Sequence, residues 1–171
     1  NNDIFSGFYI YKAADLTLTQ DKVMTYDIDY ILMRFAEVMF IYAEAANETG
    51  HSETAVEMLK QIRKRAGIEA GNDGLYGLKV GNRDEIRQAI LDERNIELCF
   101  EGHRFWDVRR WKEGDKHFKN IVEMKITKNG DDTYTYERKV KERSWDDKMY
   151  FFPIPQSEKS KNPNLEQNPG W

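Results

Sequence analysis

The sequence predicts a mainly α-helical fold with one small β-hairpin and an irregular, proline-rich C-terminal tail. Three observations lead to that class. Residues 30–67 hold two apolar-periodic runs joined by a short polar turn, residues 82–112 hold a charged run at helical spacing, and apolar–polar alternation is strong across residues 121–143. The bulk composition agrees, since 171 residues at 40% hydrophobic and 33% charged can bury a core and lie far from disordered compositions. Lys plus Arg number 26 against 30 for Asp plus Glu, and a net charge of -4 gives no attraction to phosphate backbones. Nucleic acid is therefore not an expected partner.

Taken in order, residues 1–29 read as an extended segment in which Phe8, Tyr9, Ile10 and Tyr11 alternate sides in a short strand within 7–18. A helix is expected from Tyr30 to Asn47, where only Arg34 and Glu37 interrupt the apolar run across residues 31–42. A helix apolar nearly all round needs cover on several sides, as inside a helical solenoid. After the turn Glu48-Thr49-Gly50-His51, Ser52 is the expected N-cap, and Ala55, Met58, Leu59 and Ile62 recur at helical spacing as far as Gly67. Ala43, Ala55, Leu59 and Ile62 match the small-residue and core spacing of a tetratricopeptide (TPR) helix pair, so residues 30–67 are read as a TPR-like hairpin.

Glycines at 67, 71, 74, 77 and 81 mark an exposed loop, with no G-x-x-x-x-G-K-[ST] to make it a phosphate cradle. Asn82 and Glu85 have capping-box spacing, and the helix they open, with Ile86, Ala89, Ile90 and Ile96 on its buried face, is expected to reach Glu101 and break at Gly102. A short helix over 103–112, ended by Gly114, completes the charged helices of 82–112. In the hairpin of 121–143, Val122, Met124 and Ile126 share one side, and the alternation resumes beyond Asn129-Gly130-Asp131-Asp132 at Tyr134, Tyr136 and Arg138. From 149 to 171 four prolines forbid long helices and central strands, leaving an extended tail.

Candidate chemistry concentrates between Asp92 and Trp111. Glu93, Glu97 and Glu101 stand at i, i+4 and i+8 with His103 and Asp107 beyond, so one helical face would carry several carboxylates. A carboxylate-based glycoside hydrolase could use Glu97 and Glu101 as acid and base if they stood about 5 to 10 Å apart. Arg94, Arg104, Arg109 and Arg110 supply guanidinium groups that pair with carboxylates in two-pronged fashion. A structural network of Glu93, Arg94, Glu97, Glu101, Arg104 and Asp107 accounts for these charges without a substrate, so no catalytic residue is assigned. No metal or cofactor is expected either: there is no H-E-x-x-H, and His51, His103 and His117 fall in separate elements. The one cysteine, Cys99, allows no internal disulfide and reads as a small core residue between Leu98 and Phe100. Tyr134 and Tyr136 on one hairpin face, with Trp145 shortly after, are the candidate ligand-binding residues, against the alternative that they cover the helical layer. Trp106 and Trp111 are expected to pack over guanidinium groups.

The run from Glu93 to Trp111, E-R-x-x-E-L-x-F-E-G-H-R-F-W-D-V-R-R-W, resembles the C-terminal region of the SusD/RagB family. Tyr42-Ala43-Glu44-Ala45, followed by the run from Ala55 to Gly67, resembles the family's last TPR-like unit, and the stretches 150–156 and 162–171 resemble its ending. The resemblance implies a SusD-like α–α superhelix segment from a surface-exposed outer-membrane lipoprotein. It implies a protein that is not an enzyme but binds oligosaccharides, or peptides in some branches, and delivers them to a SusC-like TonB-dependent transporter. Family members are longer, and their ligand platforms lie mostly upstream, so the resemblance carries no binding residue onto this chain. No run of about 18 apolar residues occurs, and Asn1-Asn2-Asp3 lacks signal-peptide character. The residues are thus expected to form a soluble C-terminal domain or fragment, touching the membrane only through an N-terminal lipid anchor that they do not include. The rival readings are a TPR-type protein-interaction scaffold and the carboxylate-based hydrolase.

Overall fold

A computed structural model describes residues 31–171 and, before them, residues 10, 12, 15, 17–19, 21, 22, 25 and 27. Phe8, Tyr9 and Tyr11 of the strand expected within 7–18 lie outside the described residues, as does Tyr30. Described elements are α1 (Phe35–Glu48), α2 (Ser52–Arg65), α3 (Arg83–Glu97), α4 (His103–Arg110), α5 (Gly114–Phe118), β1 (Asn120–Lys128), β2 (Tyr134–Glu142), a 3-10 turn (Asp147–Tyr150) and α6 (Gln156–Lys161). The fold is mainly helical with one small antiparallel sheet. The chain divides into two compact units, residues 13–104 and residues 1–12 with 105–171.

In the first unit α1, α2 and α3 pack around Phe40, Ala43, Ala55, Leu59, Ile62, Leu78, Ile86, Ile90 and Leu98. Ala43 and Ala55 are both fully buried, so two side chains without bulk let α1 and α2 approach closely. Each large aliphatic group in this cluster contributes about 1.5–3 kcal/mol by leaving water. α1 begins at Phe35, not at Tyr30, because Arg34 holds an extended backbone while its side chain is committed elsewhere. α1 and α2 end in the same way: Gly50 and Gly67 take positive φ, and the next N–H reaches back to Ala46 and Arg63 respectively. Ser52 is the first residue of α2 and His51 its N-cap. The Ser52 hydroxyl instead donates to Asn47 Oδ1 at 2.8 Å, while Asn47 Nδ2 donates to the Arg83 carbonyl at 3.0 Å. One fully buried amide thereby ties the end of α1 to the starts of α2 and α3.

The capping box of α3 forms: Asn82 Oδ1 accepts from Asp84 N and Glu85 N, and Glu85 Oε2 accepts from Asn82 N. The helix stops at Glu97, short of Glu101, and Phe100 and Gly102 both take positive φ in the turn that follows. Ile96 is exposed, and Leu91, Glu93 and Arg94 join Ile86 and Ile90 on the buried side. The glycine-rich loop is less exposed than expected, since Leu78 is buried in the core and Leu75 and Val80 pack against it. Among the described residues α1 is covered on one side: Phe35 is 75% exposed, Val38, Ile41 and Tyr42 are exposed with it, and so is Leu32 just before the helix.

In the second unit a continuous series of ring contacts joins Trp106, Phe105, Phe118, Trp145 and Tyr150 at centroid separations of 5.1–5.7 Å. Gly114, which begins α5, lies against Trp145; a Cβ there would fall 2.0 Å from the indole ring. Its N–H donates to the Tyr150 hydroxyl at 2.9 Å. β1 and β2 pair in register, with Asn120 opposite Glu142 and Lys128 opposite Tyr134. The tail is held by side-chain amides where prolines deny it a ladder. Gln167 accepts from Ile154 N and donates to Ile154 O, and the Trp171 indole N–H donates to the carbonyls of Lys148 and Phe151.

Candidate functional site

Glu97 and Glu101 are drawn together by Arg34. Its Nε donates to Glu101 Oε2 at 2.6 Å and its Nη1 to Glu97 Oε1 at 2.6 Å, while Nη2 serves Glu101 Oε1 at 2.8 Å and the Glu97 carbonyl at 2.6 Å. Arg65 of α2 closes on Glu97 Oε1 as well. The hydrogen bond to Glu101 leads in holding the Arg34 guanidinium above its ordinary pKa; burial opposes this and Glu97 reinforces it. Arg34 and Arg65 both come from outside the segment that bears the carboxylates.

The same pattern recurs beside it. Glu93 is paired with Arg63 of α2 at 2.7 Å, and Arg63 Nη1 also donates to the Tyr76 carbonyl at 2.9 Å. Arg94 approaches Glu37 of α1 at 3.6 Å, and His103 Nδ1 lies 3.4 Å from the same Glu37 oxygen. Arg104 forms no ion pair among the described residues, and Asp107, buried, stands 3.5 Å from Arg110. The network therefore sews α3 to α1 and α2. A cavity of about 540 Å³ beside α3 is lined by Arg63, Leu78, Val80, Gln88 and Asp92 among others, but its polar walls bind one another, with Gln88 Nε2 on Asp92 Oδ1 at 2.8 Å. Among the described residues no group of three His, Cys, Asp or Glu side chains could hold a metal ion.

The structure separates the three candidate ligand residues. Tyr134 and Tyr136 share one hairpin face and are 53% and 65% exposed. Trp145 is packed against Gly114, Phe118 and Tyr150, its indole N–H buried without a hydrogen-bond partner. Trp111 does lie against a guanidinium, that of Arg110 at 5.1 Å. Trp106 meets Phe105 and Phe152 at their edges, and the cation is Arg109, between Phe105 at 5.0 Å and Phe152 at 4.5 Å. Phe152 stands 47 residues from Phe105 in the chain, and no local spacing signals that pairing.

Comparison with known proteins agrees with these features. The sequence model of the SusD family matches residues 1–171. SusD-like protein P2 of Formosa agariphila is 35% identical over 147 residues, covering 84% of this chain and 26% of that protein. SusD-like protein P38 of the same organism is 36% identical over 86 residues, covering 49% of this chain and 17% of that protein. The crystal structure of a SusD-like protein from Bacteroides fragilis superimposes with a TM-score of 0.70 at 32% identity, over 83% of this chain and 26% of that one. The chain thus spans between 17% and 26% of the length of these relatives.

Proposed function

The chain belongs to the SusD family, and from that premise we propose that it is part of a glycan-capturing protein of the outer-membrane surface. In this reading the protein passes oligosaccharide unaltered to a SusC-like TonB-dependent transporter. Among the described residues no helix is long and apolar enough to cross a membrane, which fits a protein held at the surface by an anchor. Its ligand-facing aromatics in this segment are Tyr134 and Tyr136, whose exposed rings offer flat apolar faces for the C–H faces of sugars, with hydroxyls at their rims.

The observation that carries the non-catalytic part is the Arg34 clamp. A hydrolase needs one carboxyl group with a proton to give and another free to attack or to activate water. Glu97 and Glu101 already accept hydrogen bonds from one guanidinium, and Arg65 adds another.

One observation favours a second reading, the interaction scaffold: the exposed apolar side of α1, with Phe35, Val38, Ile41 and Tyr42, is the kind of surface a protein partner covers. Calorimetric titration of the full-length protein with a broad oligosaccharide panel, beside co-purification from membranes, separates the two. Saturable heat with at least one glycan supports capture. A transporter barrel that co-purifies while no glycan binds supports the scaffold.

A further inference from the structure

Tyr134, Tyr136 and Arg138 follow one another on the same side of β2, at alternate positions and so about 6.8 Å apart along the strand. Opposite them on β1 stand Lys128, Ile126 and Met124. The other side of the hairpin neutralises itself, because register sets Glu123 against Lys139 and Lys125 against Glu137. Arg138 has no such neighbour. Its cross-strand partner is Met124, its diagonals are Val122 and Ile126, and along β2 it lies between Tyr136 and Val140. The next carboxylate on that side is Glu142, at the far end of the strand.

Arg138 is exposed, and among the described residues it makes no ion pair and no side-chain hydrogen bond. A guanidinium in apolar company keeps its planar fork for an incoming anion, and poorly hydrated neighbours strengthen the attraction. Lys128, at the other end of the row, is offset by Asp132 at 2.6 Å, so Arg138 supplies the positive charge of this side.

We infer that this row is a subsite for acidic pyranoses: ring faces rest on Tyr134 and Tyr136, and a carboxylate or sulfate group meets the Arg138 fork. The inference rests on the glycan-capture reading and names the ligand class that reading leaves open. Titration of the full-length protein with an oligogalacturonide, a sulfated galactan fragment and the neutral galactan of equal length tests it, the first two separating carboxylate from sulfate. At least one acidic glycan should bind tenfold or more tightly than the neutral one. Arg138→Gln should abolish that preference, whereas Tyr136→Ala should weaken the binding of acidic and neutral glycans alike. Both variants should melt with the wild type, because both side chains are exposed. Equal affinity for acidic and neutral glycans, a preference that survives Arg138→Gln, or no binding of the three overturns the subsite. Capture itself falls only if the broad panel also gives no heat.

Discussion

Arg34 shows how a single side chain decides the local outcome. In the sequence it is an interruption in an apolar run; in the structure it stands at the N-cap of α1, which begins at Phe35, and binds Glu97 and Glu101, 63 and 67 residues away. The carboxylates were legible from their four-residue spacing, but their partners were not, because nothing local points from residue 34 to residue 97. Arg34, Arg63 and Arg65 reach α3 from the start of α1 and from α2, which no spacing within residues 92–111 signals. With Arg34 23% and Glu97 12% exposed, removing the charge in Glu97→Gln should cost about 1–3 kcal/mol in urea unfolding, below the cost of breaking a fully buried pair. An unchanged midpoint would mean that the clamp stabilises nothing. Gly114 is a second decisive residue. Gly114→Ala places a methyl group inside the Trp145 ring, so it should lower stability by about 1–3 kcal/mol and shift indole fluorescence to the red.

At the level of elements, existence and type were readable and ends were not. Hydrophobic period, the Asn82–Glu85 box and the strand alternation identified α2, α3 and the hairpin, since each signal is local. Ends depend on groups from elsewhere: Arg34 delays α1, Asn47 takes the Ser52 hydroxyl, and α3 yields at Leu98, where burial in the core outweighs the continuing helical pattern. Ion pairs add to the apolar packing and the Asn47 amide where the end of α1 meets the start of α3. Glu48 receives Arg87 Nε and Nη2 at 2.6 and 2.8 Å and is also reached by Arg83, so its carboxyl is held down to about 2, Arg87 contributing first. A carboxyl with a lowered folded-state pKa adds stability that is complete above its ordinary value near 4.5 and lost as pH falls toward 2. The wild type should therefore lose more melting temperature between pH 5 and pH 2.5 than Glu48→Gln does. The difference should shrink in high salt, because the pair is exposed. A loss of equal size in both proteins would assign acid sensitivity to other groups.

For the molecule as a whole, the family was legible because its marks lie on scaffold: the Glu93–Trp111 run forms the helix-locking network and the Arg109 stack, and the tail wraps through Gln167 and Trp171. Which aromatics face outward was not legible. Tyr136 and Trp145 look alike as residue types, yet one stands in solvent and the other fills the space left by Gly114. The exposed side of α1 has a consequence at this scale. The 171-residue chain should bind a hydrophobic dye, and Phe35→Ser should reduce that signal without loss of helix content, as circular dichroism would show. Capture without chemistry is tested by incubating the purified full-length protein with a glycan it binds and analysing the sugar afterwards. Saturable binding and a glycan recovered at its original length are the expected results; shortened products that accumulate with time and vanish in Glu97→Gln would contradict capture without hydrolysis.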